Sequence, residues 1–478
     1  MEYPNKILHW IGDNEVASLS GEYFVKDNPI NGELLAEVTK GNKEDVEKAI
    51  NVAELAYFDW SNTPVIERAR IIRRASFIIE ERKNEIAKIV SKECGKSEKN
   101  ALGEIIGASE CGFFFAGEGQ RFNGSTLTSS VKNRKVYMTR ESTGVGALFV
   151  PFNNPIASIA WKTFPALLCG NTVVLKSHEF TPYIAILFAH ILQEAGLPKG
   201  VFNVIQGFGV DVGIPLIKDK RVSFVSFTGS YKTARSIIKD SADNLTKVSV
   251  ESGGKNPMVI CDDADLERAV EYAVLSAFVD AGQRCAASSR IIVMEPVYEK
   301  FKELFLNKIK DLKIGVEDDC AFGAIINKNR MLEILSDIKT AEDSGAKIIF
   351  GGKQIREKGY FIEPTVIEGL SPEHEISQKE IFGPVVALYR AKDFDEAMNI
   401  ANNSQYNLSS SLHTKSIHRA NQFIDKIKAG VARVNGPTYG SEPHMPFGGM
   451  GLSGNGWREP GEKALDFYSE WKQVSIDY

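Results

Sequence analysis

Residues 170–179 read GNTVVLKSHE, a short β-rich run between a Gly-Asn turn and a polar loop. A run of β-branched side chains bounded by turn residues predicts a strand, here over residues 172–175. Similar runs, each followed by a turn residue and a helical stretch, recur on both sides at residues 145–150, 201–205, 222–227, 247–250, 257–260 and 290–294. Strands that alternate with helices predict an α/β fold with a parallel sheet covered on both faces.

A second α/β unit is predicted further along the chain. Strand-like runs return at residues 346–350, 385–390 and 431–435, and helical stretches such as 297–312 and 393–402 separate them. The sequence therefore predicts two sheets, each with its own helices.

Three segments lie outside this alternation. Residues 44–92 carry apolar side chains at steps of three and four, which predicts helices. Residues 126–140 are rich in Ser, Thr, Val and Tyr and predict a β-hairpin, and residues 464–478 predict an extended edge segment. Protruding strands of this kind are typical of association surfaces, although a solvated hairpin is the alternative.

Composition excludes several classes of protein. The chain has 478 residues, of which 43% are hydrophobic, enough for two or three well-filled domains. A net charge of −5 gives no basic field for nucleic acid or for a membrane surface. The six cysteines form no Cys-x-x-Cys pair and no cluster with histidine, which indicates reduced thiols of a cytoplasmic protein without a zinc site. The first residues carry no apolar leader segment, and no apolar run is long enough to span a bilayer.

One cysteine and one glutamate are the best candidates for chemistry. Cys285 follows a Gly-Gln turn in residues 281–287 (AGQRCAA), and Glu251 opens residues 251–255 (ESGGK). A thiolate can attack a carbonyl carbon, and a carboxylate can then activate water against the acyl-sulfur product. A single cysteine is more often a buried apolar side chain, so this pair alone does not establish catalysis.

Polar residues at the ends of predicted strands complete a candidate site. Asn153 follows a strand and a proline, and its amide is a candidate donor to an oxyanion. Lys176 and Glu179 follow the next strand and could bracket a ribose, with Glu179 excluding a 2′-phosphate.

Two turns contain glycine, and the second, which ends a strand and starts a helix, could meet a pyrophosphate. They are residues 206–213, which contain Gly209, and residues 227–230, which contain Gly229. Neither turn is the Gly-x-Gly-x-x-Gly fingerprint of dinucleotide-binding folds. Residues 95–97 (GKS) look like the end of a phosphate-binding loop, but the glycine five positions earlier is missing, so that loop is excluded.

The order and spacing of these segments closely resemble the aldehyde dehydrogenase superfamily along nearly the whole chain. The motifs that carry the resemblance are PFN at 151–153, WK at 161–162, GNTVVLKSHE at 170–179, FTGS at 227–230, ESGGK at 251–255, GQRC at 282–285, EIFGPV at 380–385 and PFGG at 446–449. Ser252 and Gly451 depart from the usual Leu and Lys of the family, but neither position holds a reacting group.

The resemblance implies NAD(P)-dependent oxidation of an aldehyde to a carboxylic acid through a thiohemiacetal and a thioester on Cys285. It implies that Asn153 is the oxyanion donor, that Glu251 activates the deacylating water, and that Lys162 supports the site. The residues that it places around the cofactor are Pro151, Phe152, Lys176, Glu179, Gly209, Phe227, Gly229, Ser230, Glu380 and Phe382. NAD is expected rather than NADP, because Glu179 would repel a 2′-phosphate.

The resemblance also implies a division of the chain. Residues 1–123 and 143–252 would form a Rossmann-type NAD-binding domain, residues 253–452 a catalytic α/β domain, and residues 124–142 and 460–478 the strands of a homodimer or homotetramer.

The substrate is left open between two classes of aldehyde. The segment 442–458 is similar to enzymes that act on α-ketoglutarate semialdehyde, and Arg284, Arg433 and His444 could reach an acidic aldehyde. Trp161 and Phe447 could equally line an apolar tunnel. Two alternatives to the dehydrogenase remain: a CoA-acylating enzyme, which would not need Glu251, and a silent binding protein of the same fold.

Overall fold

The computed structural model describes residues 2–478, so Met1, the first residue of the predicted NAD-binding segment, lies outside it. In chain order, the elements up to residue 252 are β1 (Lys6–Ile7), β2 (His9–Ile11), β3 (Asn14–Val16), β4 (Tyr23–Asp27), β5 (Leu34–Thr39), α1 (Lys43–Asn62), α2 (Val65–Glu81), α3 (Lys83–Cys94), α4 (Glu98–Glu118), β6 (Ser125–Leu127), β7 (Arg134–Ser142), β8 (Val145–Phe149), α5 (Pro155–Leu168), β9 (Thr172–Lys176), α6 (Pro182–Glu194), β10 (Phe202–Ile205), α7 (Ile214–Lys218), β11 (Val222–Gly229), α8 (Tyr231–Ser241) and β12 (Lys247–Ser252).

The elements after residue 252 are β13 (Asn256–Ile260), α9 (Leu266–Phe278), β14 (Ser288–Met294), α10 (Tyr298–Lys310), α11 (Lys328–Asp343), β15 (Lys347–Phe350), β16 (Thr365–Glu368), α12 (Glu375–Gln378), β17 (Val385–Ala391), α13 (Phe394–Asn402), β18 (Tyr406–Asn407), β19 (Ser409–His413), α14 (Ile417–Lys426), β20 (Val431–Val434), β21 (Met450–Gly451), α15 (Ala464–Tyr468) and β22 (Ser469–Asp477).

The first large sheet has the spatial order β12-β11-β8-β9-β10-β2-β3. Strands β8 to β12 pair in parallel, which confirms the predicted α/β class, and β2 joins the edge in the antiparallel sense. Val173, Val174 and Leu175 at the centre of this sheet are fully buried. Continuous apolar strands are what a parallel sheet covered by helices on both faces requires.

The second large sheet has the order β15-β16-β17-β14-β13-β19-β20, and only β15 runs antiparallel to its neighbour. The strands predicted near residues 257, 290, 346, 385 and 431 are all present. Strands β16 and β19 were not predicted. The sequence of β19 (SSSLH) contains no β-branched side chain, although all five residues are buried.

The third sheet confirms the predicted hairpin and corrects the predicted tail. Strand β7 pairs with β6 and, along its whole length, with β22, from Ser142 opposite Ser469 to Arg134 opposite Asp477. The expectation that residues 464–478 are extended throughout is wrong, because Ala464–Tyr468 form the short helix α15. The buried side chains of Ala464 and Phe467 account for the helical turn, since both pack into the first core.

The site lies where the two large sheets face each other. The loops after β8, β9, β11 and β12 leave the first sheet at one edge, because the carboxyl ends of parallel strands lie together. The loop between α9 and β14 of the second sheet carries Cys285 to that edge. Within residues 2–478, no helix is both long and apolar enough to cross a membrane.

Candidate active site

A cleft of about 1470 Å³ opens between the two sheets and collects almost every predicted site residue. The predicted catalytic residues that line it are Asn153, Lys162, Glu251 and Cys285. The predicted cofactor residues that line it are Pro151, Phe152, Lys176, Glu179, Gly209, Phe227, Gly229, Ser230, Glu380 and Phe382. Residues that are far apart in sequence therefore line the same cleft.

The loop that carries Cys285 is held in an unusual backbone conformation. Asp280, Ala281 and Gly282 have φ values of 55°, 56° and 66°, the left-handed region that L-residues rarely adopt. A Cβ at Gly282 would lie 2.2 Å from the carbonyl oxygen of Gly383, so only glycine fits there. The surrounding contacts over-determine this conformation, as is common where a loop presents a functional side chain.

Side chains on both sides of Cys285 fasten the loop. Gln283 is buried, its Nε2 donates to the carbonyl of Ala324 at 3.1 Å, and its Oε1 accepts from the N–H of Ile326 at 3.0 Å. Asn256 Nδ2 donates to the carbonyl of Cys285 at 2.7 Å. The sulfur is thus presented by a braced loop, and Cys285 is partly exposed, whereas Cys94, Cys111, Cys169 and Cys261 are buried.

The surroundings of Cys285 disfavour the thiolate form of its side chain. Burial raises its pKa to about 12, and the nearby carboxylates of Glu380 and Glu251 act in the same direction. The thiolate is the nucleophilic form of a cysteine, and a positive charge placed near Cys285 would lower the pKa of its thiol.

Glu251 lies at the end of β12 with its two carboxylate oxygens in different settings. Oε2 accepts a hydrogen bond from the N–H of Gly449 at 3.1 Å, whereas Oε1 is buried and has no hydrogen-bond partner among residues 2–478. Burial raises the pKa of Glu251 well above its ordinary value. A carboxyl group with one free oxygen and a raised pKa has the features of a group that transfers protons.

The buried ammonium of Lys162 belongs to a polar cluster that lines the cleft near Glu251. Its Nζ donates to Ser226 Oγ and pairs with Glu459 Oε2, both at 2.7 Å. Glu459 Oε1 accepts from Ser226 Oγ at 2.9 Å and from the hydroxyl of Tyr468 at 2.6 Å. All charges in this cluster are compensated, as buried ion pairs require.

The other end of the cleft carries paired charges and a helix N-terminus. Lys176 Nζ and Glu179 Oε2 form an ion pair of 2.8 Å just beyond β9. Ser230 caps α8 by accepting from the N–H of Thr233, and Ser230 and Thr233 at the N-terminus of this helix line the cleft.

Aromatic and acidic side chains join the two ends. The rings of Phe152 and Phe382 meet edge to face with centroids 5.7 Å apart. Glu380 Oε1 accepts from the N–H of Gly254 at 2.9 Å, and burial raises its pKa to about 7. A Cβ at Gly253 would lie 1.7 Å from Glu380 Oε2, so this glycine is needed to seat the carboxylate.

These features suit a nicotinamide dinucleotide. A helix N-terminus binds a pyrophosphate, an acidic side chain beyond a strand accepts from a ribose, and glycines let backbone approach closely. Ser230, Glu179 and Gly253 supply these three elements along one wall.

The family assignment follows from comparison with known proteins. The model of the aldehyde dehydrogenase family matches residues 16–474. The chain belongs to the aldehyde dehydrogenase family. The predicted resemblance is thereby confirmed.

Relatives of known name cover the whole chain. The α-ketoglutarate semialdehyde dehydrogenase of Haloferax volcanii is 38% identical over 484 residues, which is 100% of each chain. The 2,5-dioxopentanoate dehydrogenase of Saccharolobus solfataricus is 36% identical and covers 95% of this chain and 96% of its own.

A solved structure gives the same picture of the fold. Betaine aldehyde dehydrogenase of Staphylococcus aureus, crystallised in complex with NAD⁺, is 32% identical with a TM-score of 0.96, covering 98% of this chain and 95% of its own. This aldehyde dehydrogenase is therefore an oxidoreductase that oxidises small-molecule aldehydes with NAD(P).

The predicted substrate residues divide into two groups. Trp161, Arg284 and Phe447 line the cleft, and the Trp161 and Phe447 rings meet at 6.0 Å. Arg433 and His444 are absent from the cleft wall that residues 2–478 form: Arg433 Nη2 donates to the carbonyl of Gly440, and the exposed His444 lies 3.9 Å from Glu442.

Sequence reasoning missed two residues whose hydrogen bonds hold predicted site residues of this dehydrogenase in place. Asn256 and Glu459 hold Cys285 and Lys162 through contacts 29 and 297 residues apart along the chain. Asn256 directly follows the ESGGK motif, which was a usable signal. No local pattern marks Glu459.

Proposed function

We propose that this aldehyde dehydrogenase oxidises a short semialdehyde with a terminal carboxylate, of the 2,5-dioxopentanoate type, to the corresponding dicarboxylate. Cys285 is the nucleophile, Asn153 the oxyanion donor, Glu251 the base for deacylation, and Arg284 the anchor for the carboxylate. The names of the relatives at 36–38% identity support this substrate class.

The first chemical step places Cys285 and Asn153 on either side of the aldehyde. Attack of the sulfur on the aldehyde carbon converts the carbonyl oxygen to an oxyanion. Asn153 lines the same cleft, and its side-chain amide has no hydrogen bond to any residue of the described chain, so it is free to donate to that oxygen. Bound NAD(P) supplies the hydride acceptor and a positive charge.

Glu251 serves the second step, the hydrolysis of the thioester on Cys285. Its Oε2 is anchored on Gly449, which leaves Oε1 to take a proton from water. Since burial raises the pKa of Glu251, the carboxyl group must first lose its own proton. This base argues against acyl transfer to CoA, which needs no activated water.

The single observation that carries the substrate class is the state of Arg284. Its Nη1 is buried without a hydrogen-bond partner among the described residues, although the side chain lines the cleft. Asp280 Oδ2 lies 3.3 Å from Nε, and the ring of Tyr439 lies 4.2 Å from the guanidinium carbon, so the group is held in place but not fully satisfied. A guanidinium with free N–H groups is the preferred partner of a carboxylate.

The position of Arg284 also fits a short substrate. Arg284 directly precedes Cys285, and consecutive Cα atoms lie about 3.8 Å apart. Both side chains line the same cleft, so one short substrate that reaches the sulfur of Cys285 would also meet the guanidinium of Arg284.

Glu179 supports NAD as the preferred cofactor. It is paired with Lys176 beyond β9, where a carboxylate accepts from a ribose 2′-hydroxyl and repels a 2′-phosphate.

The division of the chain into residues 1–123 with 143–252, 253–452, and the strands in 124–142 and 460–478 is part of the same proposal. The third sheet leaves apolar side chains exposed, Leu127, Trp471 and Ile476 among them. Such a surface supports self-association as a dimer or tetramer.

The test is NADH formation with a panel of aldehydes: 2,5-dioxopentanoate, succinic semialdehyde, benzaldehyde and propanal, each with and without CoA. We expect the highest kcat/KM with 2,5-dioxopentanoate, no dependence on CoA, and no activity in Cys285→Ala. A higher kcat/KM for benzaldehyde or propanal would overturn the carboxylate assignment. An absolute need for CoA would overturn the role of Glu251.

A further inference from the structure

The turn Cys94-Gly95-Lys96, between α3 and α4, has no part in the chemistry described so far. It is nonetheless pressed against the loop that carries Asn153. Cys94 Sγ donates to the carbonyl of Phe152 at 3.3 Å, and Lys96 Nζ donates to the carbonyl of Asn153 at 2.6 Å. Two successive carbonyl groups of the oxyanion loop are thus bound by this one turn.

Lys96 is fully committed to these contacts. The residue is only 4% exposed, and its ammonium also donates to Asn154 Oδ1 at 3.1 Å and to Glu104 Oε2 at 2.9 Å. An ammonium has three donor hydrogens, so all three are used. Glu104 and the oxyanion loop are its partners.

Glu104 fixes the other side of the same loop. Its Oε1 accepts from the N–H groups of Ile156 and Ala157, at 2.9 and 3.3 Å, in the first turn of α5. A carboxylate at a helix N-terminus satisfies N–H groups that have no partner within the helix. The Lys96–Glu104 pair therefore forms hydrogen bonds at both ends of the segment 153–157.

The turn also reaches the loop of the nucleophile. The carbonyl of Gly95 accepts from the N–H of Ala324 at 2.8 Å, and the carbonyl of Ala324 accepts from Gln283, two residues before Cys285. A Cβ at Gly323 would lie 1.8 Å from the Gly95 carbonyl oxygen, so the approach is close. The oxyanion loop and the nucleophile loop are connected through Gly95 and Lys96.

We propose that Lys96 is a positioning residue that holds the Asn153 amide at the correct place relative to the sulfur of Cys285. This inference rests on the proposed role of Asn153 as oxyanion donor. Lys96 does not contact the substrate; it acts through the Asn153 backbone. A displacement of about 1 Å at a reacting group costs roughly 10²-fold in rate, so the contact matters for turnover.

The test is a double-mutant cycle on hydride transfer. The rate constant of the NADH burst is measured by stopped flow, with 2,5-dioxopentanoate and saturating NAD, in the wild type, Lys96→Met, Asn153→Ala and the double variant. We expect Lys96→Met to lower the burst rate constant roughly 10- to 100-fold in the wild-type background. In the Asn153→Ala background the same change should cost less than about twofold, because the donor is already absent.

Each other outcome has a definite meaning. Equal losses from Lys96→Met in both backgrounds, or no loss at all, would overturn the positioning role while leaving that of Asn153 intact. An undiminished burst in Asn153→Ala alone would overturn the oxyanion role, and this proposal with it.

A purely structural effect is separated by two controls. Lys92→Met removes an exposed lysine at the end of α3 and should leave the burst unchanged. The NAD dissociation constant should stay within about twofold in all variants, since the turn is not part of the ribose or pyrophosphate site. Should Lys96→Met fail to fold, Lys96→Met/Glu104→Gln replaces it in the cycle: the glutamine still accepts from Ile156 and Ala157 and leaves no unpaired charge.

Discussion

The two ends of the cleft treat their charged side chains differently. At the ribose end, Lys176 and Glu179 are already paired at 2.8 Å. At the catalytic end, Glu251 Oε1 and Arg284 Nη1 are buried without a partner in the described chain. An unsatisfied buried polar group costs about 1–3 kcal/mol, more when it is charged. The comparison teaches that the catalytic end keeps two buried polar atoms unpaired, whereas the ribose end pairs its charges. Under the proposed function, water is the partner of Glu251 and a carboxylate is the partner of Arg284.

The largest expected effect on turnover is that of a substitution at Glu251, whose unpaired buried oxygen contrasts most clearly with the paired charges of the ribose end. Glu251→Gln removes the base and should lower the steady-state rate roughly 10²- to 10³-fold while a burst of NADH remains. In the wild type the steady rate should rise with pH, because the raised pKa of Glu251 keeps it protonated at low pH, and the variant should lose this rise. Stopped-flow and steady-state measurements between pH 6 and 9 check both, with the exposed Glu462→Gln as control.

An unchanged steady rate in Glu251→Gln would mean that the free oxygen at the catalytic end has no function. The burst amplitude reports the fraction of active enzyme, so a general loss of folded protein would be recognised.

Arg284→Leu tests whether the unpaired guanidinium awaits a carboxylate. It should lower kcat/KM for 2,5-dioxopentanoate roughly 10- to 100-fold, the value of a charge-assisted hydrogen bond, and leave propanal nearly unaffected. Arg433→Leu is the matched control, because Arg433 does not line the cleft walls described. Equal losses for both aldehydes would show that Arg284 supports the loop instead.

The thiol of Cys285 should respond to pH as a buried group does. Since its pKa is raised to about 12, the thiolate fraction, and with it the rate of iodoacetamide alkylation, should rise about tenfold per unit from pH 8 to 10 without a plateau. Cys320→Ser removes the other partly exposed thiol from the measurement. Adding NAD should accelerate alkylation at pH 8, and a plateau near pH 8 without NAD would contradict the raised pKa of the thiol.

The smallest effect is expected at the ribose end, where the charge is already compensated. Glu179→Gln should shift the ratio of kcat/KM for NADP over NAD roughly fivefold toward NADP, because like charges about 4 Å apart in solvent repel by about 1 kcal/mol. The exposed Glu194→Gln, on α6, serves as control. No change in the ratio would remove Glu179 from cofactor selection.

The sequence predicted the fold well where side-chain type follows secondary structure. The run TVVLK of β9 contains three β-branched side chains and is buried throughout. The strand propensity of its residues therefore agreed with the observed structure. Strand β19 was not predicted, because three of its five residues are serines. Their hydroxyl groups find hydrogen-bond partners only in the folded chain, as when Ser409 Oγ donates to the carbonyl of Thr438. Helix α15 was not predicted, because tertiary packing rather than the sequence pattern makes residues 464–468 helical. Strand β22 therefore begins only at Ser469.

The candidate site shows the same limit. Cys285, Glu251 and Asn153 stand in motifs whose spacing is visible along the chain. Lys96 binds the carbonyl of Asn153 from 57 residues away, and Glu104 binds the N–H of Ile156 from 52 residues away, through backbone atoms that carry no sequence signature. The residues that meet in the cleft were therefore predictable, and the contacts of Lys96 and Glu104 with the loop of Asn153 were not.

The C-terminal strand has a practical consequence for handling this enzyme. Strand β22 begins directly after Tyr468, whose hydroxyl satisfies Glu459 in the buried Lys162 cluster. An affinity tag or a protease cut that separates β22 from β7 would displace Tyr468 and disturb its hydrogen bond to Glu459. Purification handles are therefore better placed at the other terminus, and a loss of turnover after C-terminal trimming would report a disturbed interior rather than a missing surface.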